Sequence, residues 1–139
     1  MKMTPDPQAP ATLAFTFHDV ADFPLVISRT EVVARGYSGR WAAEMTALID
    51  CGRPFVIVFP GPLPEETPDD RKQRSIWLKH NKTRLARVCR ALIRVEPDGL
   101  KRGALKAQAF AMTKAFGIPM EVVATRTDAI ALAATLAGR

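Results

Sequence analysis

The sequence predicts an α/β fold: a small mixed, mostly parallel sheet with helices packed on it, in the order β-β-α-β-α-β-α-β-α. Three observations carry this. CGRPFVIVF from Cys51 and FGIPMEVVA from Phe116 both place Gly just past an apolar helical stripe and Pro two residues later, ahead of a strand-like run. Gly takes the left-handed conformation that ends a helix, and Pro stops the helix from continuing. Between the two junctions, Phe55–Phe59 (FVIVF) is continuously apolar, as a strand covered on both faces should be.

The elements follow in order. Thr12 to His18 (TLAFTFH) alternates with the period of a half-buried strand. Leu25 to Ser28 is a second short strand that can pair with it across the turn at Asp19–Pro24. Glu31 to Gly36 reads as either a strand extension or an irregular link. Ser38 is the expected N-cap of a helix whose apolar face is Trp41, Met45, Leu48 and Ile49. After FVIVF comes Pro60–Pro68, a rigid exposed loop with four prolines and two glutamates. Thr67 as cap, Pro68 at the first position and Asp69 and Asp70 at the positive end of the dipole start a helix reaching about Val88. Cys89 to Val95 (CRALIRV) alternates as a strand, and Asp98–Gly99 make a turn. Leu100 to Phe116 has a helical stripe of Leu105, Ala109, Met112 and Phe116, with Phe110 widening the buried face. Met120 to Thr125 is a strand, and Thr127 caps a last helix, Asp128 to Ala137.

The 139 residues suit one domain, expected over 11–139, with 1–10 as a flexible tail. That tail carries Pro5, Pro7 and Pro10 and no apolar run of the secretory kind, and no stretch is long enough to span a bilayer. The expected location is therefore cytoplasmic, with no membrane partner, and Cys51 and Cys89 are expected as free thiols. The net charge of +6 is unevenly spread. Arg71 to Lys106 hold twelve Lys or Arg and two acids, a local net of +10 against −4 over the rest. Such a block steers anionic partners.

Within that block, Arg71, Lys72, Lys79, His80, Lys82, Arg84 and Arg87 form the candidate anion- or partner-binding face of one helix. Trp77 and Asn81, one turn apart, are candidates for lining a cleft. Glu65, Glu66, Asp69 and Asp70 lack the glycine and the spacing of a calcium loop, so no metal is assigned. No G-x-S-x-G, P-loop, G-x-G-x-x-G or H-E-x-x-H pattern occurs, so no catalytic residue and no cofactor are assigned. A cysteine–histidine pair would need Cys51 or Cys89 to meet His18 or His80 in space. An enzyme of unrecognised type would place its site by the loop after the central strand.

GRPFVIVF, FGIPMEVV and TRTDAIALAATL, in this order of elements, resemble the STAS and SpoIIAA-like group of small bacterial domains. RKQRSIWLKHNKTRL (Arg71 to Leu85) is similar to the helix that follows the central strand in members of that group. The resemblance implies a regulatory or protein-binding module rather than an enzyme, with a protein partner or a second copy of the chain. Typical members carry a phosphorylatable serine in a turn after the central strand. Phe59 to Asp70 has no serine here, and Thr67 is its only hydroxyl. Thr67 is thus the one candidate phosphorylation position, and its capping role accounts for it as well. The alternative to protein binding is binding of nucleic acid or another polyanion by the basic helix.

Overall fold

The computed structural model describes residues 15–62 and 64–138. The elements are β1 (His18–Asp19), β2 (Leu25–Ser28), a 3-10 turn (Thr30–Val32), α1 (Ser38–Asp50), β3 (Phe55–Phe59), α2 (Pro68–Val88), β4 (Cys89–Val95), α3 (Gly99–Phe116), β5 (Met120–Val123) and α4 (Arg126–Ala137). The expected order and the α/β class hold. The expected tail 1–10 and the start of the Thr12–His18 strand lie outside the described residues.

The strands lie in sequence order, β1-β2-β3-β4-β5. β1 runs antiparallel to β2, and every later pair is parallel. α1, α2 and α3, which connect successive parallel neighbours, lie on one face of the sheet. That face holds the larger core, in which Met45, Leu48 and Ile49 of α1 and Leu85 of α2 pack on Val26, Phe55 and Ile57. α4 covers the other face, where Ala129 and Ala133 sit on Val56, Val58, Ala91 and Ile93. β3 is buried on both faces, as its apolar run requires, and β4 alternates buried and half-buried along its whole length. A register shift where β3 meets the start of β4 leaves Arg90 unpaired between Cys89 and Ala91. Gly52 and Gly117 have φ of 72° and 71°, the left-handed conformation expected at both Gly-x-Pro junctions.

Four local expectations change. Ser38 does not cap α1; it opens the first turn, and its hydroxyl donates to Asp70 Oδ1 of α2 (2.8 Å). α4 is capped by Thr125, not Thr127: the Thr125 hydroxyl accepts from the Asp128 N–H, which starts the helix two residues early and ends β5 at Val123. Asp98 is the N-cap of α3, so the expected Asp98–Gly99 turn is the helix start. The α3 stripe is not core. No α3 residue is fully buried, Met112 is 41% exposed and Phe110 65%. α3 packs chiefly on the edge strand β5, so most of its apolar side has no sheet beneath it.

Candidate functional site

α2 is held by carboxylates as well as by the apolar contacts of Leu85, Trp77 and Leu78. Asp70, 2% exposed, accepts from Gly36 N–H (2.8 Å), Ser38 N–H (3.3 Å), Ser38 Oγ–H and Thr67 Oγ–H (2.9 Å). One carboxylate of α2 therefore satisfies orphan donors at the start of α1, while Thr67 in turn accepts from the Asp70 N–H (3.1 Å). The Gly36 amide, followed by the hydroxyls, holds the Asp70 carboxyl below its ordinary value. Glu66 accepts both Arg74 Nη2 (2.6 Å) and Nε (3.2 Å), and also the Tyr37 hydroxyl. The Arg74 guanidinium holds Glu66 low. Burial, then the bond to Glu66, pushes the Tyr37 phenol up to about 12.

A second latch joins α1 to the chain before β1. Glu44, with no exposed surface, accepts from the backbone N–H of Thr16 (2.8 Å), Phe17 (2.9 Å) and His18 (3.1 Å) and from the His18 ring Nδ1 (3.0 Å). Among the described residues of the expected Thr12–His18 strand, only His18 joins the ladder, followed by Asp19 from the expected turn, while the Thr16 and Phe17 amides are taken by Glu44. Burial pushes the Glu44 carboxyl up, but the donors from His18, Thr16 and Phe17 more than offset it and the net shift is downward.

The basic helix face divides in two. Arg71 lies beside Glu66 (3.7 Å), Lys82 donates to the Ala115 carbonyl (3.1 Å), and Arg84 donates to Asp50 (2.8 Å) and Asn81 (3.2 Å). Lys72, Lys79, His80 and Arg87 are exposed and have no hydrogen-bond or ion-pair partner among the described residues. At the helical period they share one outward stripe, with Ile76, 40% exposed, in the middle of it.

Neither Trp77 nor Asn81 lines the cleft between α2, α3 and the sheet; Trp77 fastens α2 to α1, and Asn81 bonds within α2. The Trp77 ring meets Trp41 edge-on at 5.3 Å between centroids, its Nε1–H donates to Thr46 (3.2 Å), and Asn81 donates to the Trp77 carbonyl (2.9 Å). Thr67 has both hydrogen-bonding roles committed to Asp70. Neither Cys51 nor Cys89 forms a disulfide among the described residues. Burial pushes the Cys89 thiol up to about 12, so it is no nucleophile at neutral pH. Among the described residues, no three His, Cys, Asp or Glu side chains converge to hold a metal ion.

The cavity lies elsewhere, on the opposite side of α2 from its basic stripe. A cleft of about 360 Å³ opens between the sheet, α2 and α3 and is lined mostly by apolar side chains, among them Phe59, Leu78, Leu92, Leu105 and Met112. It exists because α3 leans on β5 and not on β4, leaving the face of Leu92 and Arg94 partly uncovered. Arg94, two residues after Leu92 and so on the same face of β4, also lines the cleft. Its Nε is buried without an acceptor, and Arg94 has no other hydrogen bond or ion pair among the described residues. An unmet buried donor costs about 1–3 kcal/mol. Sequence reading took Cys89–Val95 as an alternating strand and gave Arg94 no role in a cleft. The signal available was Arg90 and Arg94 on a strand that must lie inside a parallel sheet.

No family model, curated protein or solved structure matches this chain. Among the described residues, no helix is long and apolar enough to cross a membrane.

Proposed function

We propose that the chain is a non-enzymatic binding module of STAS/SpoIIAA-like type that docks an acidic partner protein on the outer face of α2. The observation that carries this reading is the uncommitted stripe of Lys72, Lys79, His80 and Arg87 around exposed Ile76. Cations around an apolar centre match an acidic protein surface with an apolar anchor. The carboxylates suited to acid–base work, Glu44, Glu66 and Asp70, are spent on holding the fold, which weighs against an enzyme. Nucleic acid is the second reading. It gains from the same charge but has no Phe, Tyr or Trp on the stripe for base stacking, since Trp77 is turned against Trp41.

The test begins with a pull-down from the native host and identification of the partner. Its affinity for the purified chain is then measured as salt rises, beside Lys79→Glu/Arg87→Glu. Arg87 is preferred to Arg84 as the second reversal, because Arg84 is already paired with Asp50. Docking on the stripe requires binding that weakens with salt and falls by about tenfold or more in the double reversal. Unchanged affinity in that variant rejects it. Tighter retention on duplex DNA than on the protein partner transfers the stripe to the nucleic-acid reading.

A further inference from the structure

We propose that the cleft between α2, α3 and the sheet is a binding site for a free amphipathic carboxylate. Its apolar tail lies against Leu92, Leu105 and Met112, and its carboxylate pairs with Arg94.

The volume of about 360 Å³ falls in the lower part of the range of small-molecule pockets, roughly 300–1,000 Å³. A mostly apolar lining selects an apolar body. The head is selected by elimination among the charged lining groups. Arg74 is committed to Glu66, Arg29 faces Asp19 (3.7 Å), His18 is held by Glu44, and Lys82 is bonded to the Ala115 carbonyl. Arg94 alone among the basic lining residues lacks a partner within the described residues, and its buried Nε–H needs an acceptor. The guanidinium fork fits a carboxylate through two parallel hydrogen bonds. A phosphate dianion would need a second cation, and the neighbouring ones are spent. Arg90 Nε also lacks an acceptor, but only Arg94 of the two lines the cleft, where a ligand can supply one.

This site faces away from the basic stripe, so the two proposals fail separately. The experiment is calorimetric titration of the full chain with decanoate below its micelle threshold, and with decanol, which has the same tail and no charge. Decanoate is expected to bind at least about tenfold more tightly, the advantage of one charge-assisted hydrogen bond. Arg94→Leu is expected to erase that preference, to keep decanol binding, and to unfold at the same temperature as the parent or higher, because it removes an unmet buried donor. Met112→Trp, which fills the cleft and leaves Arg94 in place, is expected to lose both ligands while keeping the circular dichroism of the parent. Equal affinity for the two ligands, a preference that survives Arg94→Leu, no measurable binding of decanoate, or an Arg94→Leu protein of clearly lower melting temperature would each overturn the proposal.

Discussion

α2 and α3 are neighbouring helices on the same face of the same sheet, and they are held in opposite ways. α2 is rich in charge and has only Leu85 as a fully buried apolar residue. It is nevertheless fixed at its start by Asp70 and Thr67, along its side by the Trp77–Trp41 contact, and from the preceding loop by Glu66 on Arg74. α3 has the better apolar stripe in sequence, yet buries none of it completely. Its ties are the Asp98 cap, the Arg102 bonds to the carbonyls of Glu96 and Pro97, Thr113, which accepts from the Met120 N–H (2.9 Å), and the exposed bond from Lys82 of α2 to the Ala115 carbonyl. The difference teaches that an apolar stripe says which side of a helix turns inward, whereas polar latches decide how closely the helix is drawn in. Where the latches are few, the stripe lines a cleft.

The comparison breaks most completely in acid. Glu44, Glu66 and Asp70 are each held below the ordinary carboxylate value, so the unfolded chain binds more protons than the folded one as pH falls. Their contribution is therefore complete above the unfolded values and lost as pH drops through the folded ones, and stability should start to fall below about pH 5. Exposed Asp98 shifts the same way, but solvent screening leaves it little weight. Trp41 and Trp77, the only two tryptophans, report the α1–α2 contact through near-ultraviolet circular dichroism. Their signal should decline with pH, and Glu44→Gln should flatten the accompanying loss of denaturant midpoint. A signal and midpoint unchanged from pH 7 to 3 would contradict the carboxylate-latch account of α2.

Truncation in the two stripes gives the next largest contrast. Leu85 is 2% exposed within the main core, and Leu85→Ala should cost about 3 kcal/mol in urea unfolding. Leu105 borders the cleft and is only half-buried, so Leu105→Ala should cost less than about 1 kcal/mol. Equal losses would mean that α3 is packed as closely as α2.

The fold was legible because its signals are local. The two Gly-x-Pro junctions, the unbroken apolar β3 and the alternating β4 depend on backbone conformation and on periods of two to four residues. The sites were harder because their partners are distant in the chain. Asp70 read as dipole electrostatics, which accounts for a first-turn acid but not for its reach to Gly36, thirty-four residues earlier. Glu44 falls three residues after Trp41 and four before Leu48, on the apolar side of α1. An acid there signals a buried carboxylate, though its donors at Thr16 to His18 are set by tertiary contact. The basic face was visible as charge, but which cations are spent depends on Asp50, Glu66 and the Ala115 carbonyl, which no helical period reveals.

The smallest effect distinguishes a local cap from a latch. Thr67 and Thr125 each accept the N–H of the third residue onward, in α2 and α4 respectively. As caps alone, each is worth about 1 kcal/mol to the fold when replaced by alanine. Thr67 also donates to Asp70, so Thr67→Ala removes one of the donors that keep that buried carboxylate charged. Thr125 has no such second duty among the described residues. Thr67→Ala should therefore lower the urea midpoint more than Thr125→Ala at neutral pH, and the gap should narrow in acid as Asp70 takes up a proton. A gap that stayed constant from pH 7 to 4 would show that Thr67 acts on the helix end alone.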